Sequence, residues 1–441
     1  MPRSAIVTAL VALTLASACG SKGKQKRAGD AAPVEIVQQP TGDAGAGSGA
    51  SADEVEPNDG EDVATPLPLG TTLRGKIEPD ADADFYRIDI KEAGALAVEL
   101  SAPDGVDLTL EILDGGGTSL ARSDRGGVRI REGVPNLGVT PGRYTAIVRA
   151  KKLAAVPVKK PAPAAKKGKK APPAEPPEIT LAPTYELIAH VTAPAGNAER
   201  EPDDDRGTAI DLIAGDTGTG YLGWSGDADV WKLSVETLSD KNSIDVEVSA
   251  VEGVALTLEL ADGIGHPLLV RKAPRGAPLV VRGVVPVVPP GAPPFHYLTL
   301  KGDRSNPETA YQLRVSAKPL VTDAELEPND TPEHAMPVPP DRTVVHATWT
   351  PGDVDNFALP VEQTGRTVEI TIDPPGDADL SAELLVAGKP VGKGERPGKG
   401  AQEKFSGVVP AGATAILRVH GSESSIEGAY DVTIQDGPAA P

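Results

Sequence analysis

Asp82-Ala-Asp-Phe-Tyr-Arg-Ile-Asp-Ile90 alternates apolar and polar side chains behind a pair of aspartates. The pattern returns at Asp227-Ala-Asp-Val-Trp-Lys-Leu-Ser-Val235 and at Asp353-Val-Asp-Asn-Phe-Ala-Leu-Pro-Val361. A period of two is that of a half-buried β-strand. Upstream of each lies a second acidic stretch: Glu54-Val-Glu-Pro-Asn-Asp59, Glu199-Arg-Glu-Pro-Asp-Asp204 and Glu325-Leu-Glu-Pro-Asn-Asp330. From the first Glu to the first Asp of the Asp-x-Asp pair the separation is 28 residues in all three copies. A spacing kept without a gap through three copies identifies an internal repeat.

Other blocks follow in the same order in each copy. Val106-Asp-Leu-Thr-Leu-Glu-Ile-Leu113, Val254-Ala-Leu-Thr-Leu-Glu-Leu260 and Ala378-Asp-Leu-Ser-Ala-Glu-Leu-Leu385 form one set. The strands predicted at Tyr144 to Ala150, His296 to Lys301 and Thr414 to Val419 form another, and closing strands begin at Tyr185, Tyr311 and Tyr430. Period-two patterning between Gly, Pro and Asp turns, about eight short strands per copy and no long helical stripe predict an all-β chain of three tandem β-sandwiches. They are placed at residues 54–194, 197–319 and 323–437.

Outside the repeats, Met1-Pro-Arg-Ser precedes an apolar run from Ala5 to Ala16. That run is shorter than the roughly 20 residues needed to cross a bilayer, and residues 1–18 read as a secretory signal. The chain's one cysteine, Cys19, follows Ala16-Ser17-Ala18 and resembles the lipobox of bacterial lipoproteins, with Ala16 where Leu is usual. The resemblance implies cleavage before Cys19 and lipidation of its sulfur, anchoring the chain to a membrane of the bacterial cell envelope on its periplasmic or cell-surface side. An ordinary signal peptide with an incidental cysteine is the alternative. Residues 19–53 read as a flexible tether, basic at Lys22, Lys24, Lys26 and Arg27 and then rich in Ala, Gly, Ser and Asp.

A single cysteine excludes an intrachain disulfide framework and a Cys-rich zinc site. With 43 Lys and Arg against 63 Asp and Glu, the net charge is −20 and no specific nucleic-acid partner is expected. The first sandwich carries an insertion at 151–183, with eight Lys and no acid between Lys151 and Ala174. Its Pro, Ala and Lys composition predicts a disordered excursion, either a tolerated hairpin-tip insertion or a binder of an anionic polymer.

The two acidic stretches flank the first strand region, so a sandwich can bring them to one end. The candidate metal ligands are Glu54, Glu56, Asn58, Asp59, Asp82 and Asp84 in the first copy. They are Glu199, Glu201, Asp203, Asp204, Asp227 and Asp229 in the second, and Glu325, Glu327, Asn329, Asp330, Asp353 and Asp355 in the third. Converging carboxylates, with Arg200 the one basic residue inside the three motifs, repel one another unless a cation neutralises them. Hard oxygen donors without His or Cys select calcium. The alternative is a metal-free corner, since Pro-Asn-Asp forms turns and Asp-x-Asp caps strands through local hydrogen bonds.

The Glu-x-Glu-Pro-Asn-Asp motif, the Asp-x-Asp strand and the closing tyrosine strand together resemble the bacterial pre-peptidase C-terminal domain family, over most of residues 54–437 in three copies. The resemblance implies a jelly-roll-like β-sandwich with calcium held by the two acidic stretches; Asp203 stands where the other copies have Asn.

Such domains usually accompany peptidases, yet no catalytic domain remains once the repeats, insertion and tether are subtracted. There is no His-Glu-x-x-His, Gly-x-Ser-x-Gly or P-loop sequence, and the six histidines are scattered singly. The chain is expected to be a non-catalytic envelope lipoprotein that binds or spaces a protein or glycan partner. An accessory targeting or folding factor for a secreted peptidase is the alternative, and an unrecognised hydrolase a third.

Overall fold

The computed structural model describes residues 50–77, 82–151, 183–193, 195–238, 241–340, 343–421 and 427–437. The predicted signal segment, Cys19, nearly all of the predicted tether and most of the Lys/Pro/Ala insertion lie outside the described residues.

The described chain is built from strands, with two single-turn 3-10 segments. In the first module, one sheet has the spatial order Ser51–Asp53, Thr72–Lys76, Thr184–Thr192, Gly94–Leu100, Glu132–Val139. The other runs Thr65–Pro66, Ala83–Ile90, Gly142–Lys151, Asp107–Leu113, Ser119–Ser123. The second module repeats this with Thr217–Gly220, Tyr311–Pro319, Asn242–Val248, Leu279–Val284 and with Ile210–Ile213, Ala228–Ser234, Phe295–Gly302, Leu256–Ala261, Pro267–Lys272. The third repeats it with Val344–Trp349, Gly428–Asp436, Arg366–Asp373, Glu403–Val409 and with Met336–Pro337, Val354–Ala358, Ala415–Gly421, Leu380–Val386, Lys389–Gly394. The architecture is therefore tandem all-β and sandwich-like, with ten, nine and nine strands among the described residues of the three modules.

Alternation decides which face is buried. Along Ala83–Ile90 the buried positions are Asp84, Tyr86, Ile88 and Ile90, so the apolar set lines the core and Asp84 sits at its rim. The corresponding third-module strand stops at Ala358, two residues before Pro360, whose missing N–H cannot extend the ladder. Three separate cores result, each filled from both sheets of its module.

The two tryptophans that lie 25 and 24 residues after their first Glu are not structural equivalents, though the sequence pairs them. Ladder partners align Gly220 with Ala347, since each faces the closing tyrosine, Tyr311 or Tyr430. Trp349 therefore corresponds to Leu222, and it packs in the core of its own module. Trp224 lies two residues further on and joins the core of the first module, 8% exposed.

A bulge makes each junction. In Glu132–Val139 the ladder slips between Leu96 and Val98, and in Leu279–Val284 it slips between Ile244 and Val246. The extra residues, Asn136 and Gly283, turn their carbonyls outward to the next module. There they accept the amides of Glu201 at 3.2 Å and Glu327 at 3.0 Å. Gly138 N and Val285 N return hydrogen bonds to the carbonyls of the same two glutamates at 2.7 and 2.8 Å. Gly283 has φ +67, a conformation that glycine adopts without steric cost. Each Glu-x-Glu-Pro segment after the first is thus an added strand fragment on the preceding module.

Candidate metal centres

The two acidic stretches of each module meet through one set of backbone contacts used three times. The first glutamate is fixed by its amide, as Glu54 N, Glu199 N and Glu325 N donate to the carbonyls of Arg74, Thr219 and His346 at 2.9, 2.9 and 2.8 Å. Its carboxylate accepts the amide two residues beyond that carbonyl, from Lys76 at 2.5 Å, Tyr221 at 2.9 Å and Thr348 at 2.8 Å. The second glutamate folds back on its own turn. Glu56, Glu201 and Glu327 accept the amides of Asn58, Asp203 and Asn329 at 2.9, 2.9 and 2.8 Å. The carbonyls of Asn58, Asp203 and Asn329 then accept the amide that follows Asp-x-Asp, from Phe85, Val230 and Asn356 at 3.0, 3.2 and 3.1 Å. All three Glu–Pro bonds are cis.

Carboxylates collect at these corners. In the first module, oxygens of Glu54, Glu56 and Asp84 lie within 4.8 Å of one another. Asn58 Nδ2 donates to Glu54 at 3.4 Å, and Asn58 Oδ1 and Asp84 Oδ1 are buried without a donor. Glu56 and Asp59 are exposed, so this cluster opens to solvent. Burial, then the charge of Glu54 and of Asp82, pushes Asp84 up to about 8, although a hydrogen bond from Tyr185 opposes the shift.

In the second module all six predicted acids fall into two groups that share Glu201. The inner group is Glu199, Glu201, Asp203 and Asp229; the outer is Glu201, Asp204 and Asp227, and each lies within 4.8 Å. Both carboxylate oxygens of Asp203 and of Asp229, one of Glu201 and one of Asp227 are buried without a hydrogen-bond donor. Burial is the largest cause of the raised pKa of each. The neighbouring charges add to it, taking Glu199 to about 8 and Glu201, Asp203 and Asp227 to about 9. Asp229 rises well above the usual carboxylate range for the same reason.

In the third module Glu327, Asp353 and Asp355 lie within 4.8 Å. Asn329 Nδ2 donates to Glu325 at 2.8 Å. Here an arginine of the second module enters: Arg271 pairs with Glu327, with Asp353 at 2.7 Å and with Asp330 at 3.0 Å. Burial opposes the Arg271 charge, but the carboxylates of Asp353, Glu327 and Asp330 outweigh it and raise its pKa.

Two kinds of residue escape the motif. The closing tyrosines are one. Tyr185 and Tyr430 donate their hydroxyls to Asp84 and Asp355, and Tyr311 donates to Glu199 at 3.1 Å. Their recurrence at the head of the last strand is the signal that marks them. The other kind comes from the preceding module: Asn136, whose Nδ2 donates to Glu199, and Arg271. Neither residue recurs at its position in the other copies, so self-comparison does not find them.

Chemically, these corners suit a hard cation. Among the described residues the clustered ligands are all carboxylates, and no Lys or Arg pairs with the six acids of the second module. Six oxygens there need a positive partner or a proton.

No protein-family model matches the chain, and no curated protein matches it. Among solved structures it is similar to the pre-peptidase C-terminal domain of a collagenase from Bacillus anthracis, at 16% identity and a TM-score of 0.20, covering 29% of this chain and 93% of that one. It is also similar to the BSP domain of a biofilm-associated protein, at 10% identity and a TM-score of 0.13, covering 80% of this chain and 62% of that one. A third is the arabinofuranosyltransferase AftD from Mycobacteria, at 8% identity and a TM-score of 0.13, covering 83% of this chain and 34% of that one.

Proposed function

We propose that this chain is a non-catalytic lipoprotein of the bacterial cell envelope, with three sandwich modules of the pre-peptidase C-terminal type. In this reading calcium at the acidic corners stiffens the modules, Cys19 carries the lipid, and the modules bind or space an envelope or extracellular protein or glycan. The observation that carries the calcium reading is the set of four donor-less buried oxygens on Asp203 and Asp229. Such oxygens are costly to bury as anions, and a divalent ion satisfies them together. The cation would also tie each Glu-x-Glu-Pro segment to its Asp-x-Asp strand, a role that a chain without disulfides has reason to assign to a metal.

Thermal melts of the purified protein in excess EDTA and in millimolar calcium test it. At a hundredfold excess over the dissociation constant, binding to the folded state alone adds about 2.7 kcal/mol. Equal melts in the two conditions would leave the corners as metal-free turns. Replacing Cys19 by Ser should release the protein from the membrane fraction.

The motif resemblance supports a second reading, an accessory factor for a secreted peptidase. Pull-down from envelope extract separates the two: a co-purifying peptidase favours the accessory role, retention on glycan favours the binding module. Activity in broad peptidase or glycosidase panels would replace both with a hydrolase.

A further inference from the structure

The outer carboxylate trio is formed twice at the same motif positions, with different surroundings. In the second module it is Glu201, Asp204 and Asp227; no Lys or Arg pairs with it among the described residues, and Glu201 Oε1 and Asp227 Oδ1 are buried without a donor. In the third module it is Glu327, Asp330 and Asp353, and the Arg271 guanidinium bonds to all three. We infer that Arg271 is the resident cation of the third module's outer trio, so that this trio takes no metal and the chain holds fewer metal ions than its repeated motifs suggest. The inference rests on the calcium reading above.

The chain is built to deliver that guanidinium. Arg271 lies on the inward face of Pro267–Lys272, between the core residues Leu269 and Ala273, and is 2% exposed. Its ladder partner is Leu258; the equivalent pairs are Leu110 with Ser123 and Ala382 with Gly394. Only the second module therefore has an arginine at this position. A second change goes with it. In the first module Glu132 is buried and accepts the Ser123 hydroxyl at 2.6 Å and Arg125 N at 3.0 Å; in the third, Glu403 accepts Arg396 N at 2.8 Å. Ladder register puts Leu279 at that place in the second module, since Leu279 faces Val248 as Glu132 faces Leu100 and Glu403 faces Ile372. With leucine there, Arg271 has no such acid in its own module, and its side chain crosses the junction.

Guanidinium and metal exclude each other in this trio. A calcium ion needs carboxylate oxygens at about 2.3–2.6 Å, and Arg271 already holds an oxygen of each of the three. Its positive charge is permanent at any pH a protein survives, so proton loss does not vacate the place.

Calcium bound per full-length chain, measured by equilibrium dialysis and elemental analysis, tests this. Asp204→Asn should lower the count, while Asp330→Asn, the same position one module later and outside the Glu327, Asp353 and Asp355 cluster, should leave it unchanged. Arg271→Met should raise it by one ion per chain as the freed trio takes metal. The proposal is overturned if Asp330→Asn loses as much calcium as Asp204→Asn, or if folded Arg271→Met binds no more than the parent. Should Arg271→Met fail to fold, the two aspartate variants decide alone. A parent chain that binds no calcium at all would remove the underlying reading, a result distinct from either of these.

Discussion

The indole N–H of Trp231 donates to the Tyr311 hydroxyl at 2.9 Å, and that hydroxyl donates in turn to Glu199 at 3.1 Å. A chain of buried hydrogen bonds thus runs from the core of the second module to its acidic corner. Tyr311→Phe keeps the ring and removes the link, leaving the indole N–H without its acceptor. The expected loss is about 1–3 kcal/mol in a urea melt, together with weaker calcium binding. An unchanged midpoint would mean that the corner is held without the tyrosine.

Asp203→Asn places in the second module the residue that stands at 58 and 329 in the others. Its own burial, and then the charges of Glu199, Asp227 and Asp204, raise the Asp203 pKa to about 9. An amide is neutral without taking up a proton on folding, so near pH 7 the substitution should stabilise the metal-free protein by at least about 1 kcal/mol, the worth of about one pKa unit, and reduce the further gain on adding calcium. Melts with and without EDTA read both effects, and destabilisation in EDTA would contradict the account.

Raised carboxylate pKa values set a pH dependence. Glu199 is held near 8, and Glu201, Asp203 and Asp227 near 9, whereas unfolded carboxylates titrate near about 4. Between these limits the metal-free folded state binds more protons than the unfolded chain. The stability they contribute is therefore full below about pH 4 and is lost as pH rises through about 9. In EDTA the melting temperature should fall from pH 5 to pH 9. Calcium should reverse the trend, since it displaces protons and binds more tightly as pH rises; a pH-independent calcium effect would count against direct coordination by these groups.

Trp224→Ala should unfold the wrong module first. The side chain belongs by sequence to the second repeat and by packing to the core of the first. A cost of about 3–5 kcal/mol is expected. Hydrogen exchange should show it in Gly94–Leu100 and Glu132–Val139 rather than in the strands of the second module.

What is readable from the chain follows from where partners reside. Glu54 and Asp84, or Glu199 and Asp229, are holder and held within one repeat, so constant spacing reports their meeting before any fold is known. Period-two alternation reports the strands for the same local reason, except where Pro360 stops one early. Asn136, Arg271 and Trp224 act on a neighbouring module, and at their positions the copies differ. Counting from the motif also misaligns Trp224 with Trp349, because the loop between strand and Asp-x-Asp differs among modules while the total of 28 residues does not.

The bulges at Asn136 and Gly283 have a consequence for how such a chain can be rearranged. Glu403–Val409, the third module's counterpart of the two bulged strands, runs in unbroken register from Arg366↔Val409 to Ile372↔Glu403. It presents no extra carbonyl of the kind by which the first and second modules hold the segment that follows them. The modules are for that reason not interchangeable beads. Transposing the last two would put a strand without a bulge ahead of a Glu-x-Glu-Pro segment and carry Arg271 away from the acids it neutralises, leaving two neighbours joined by their linker alone.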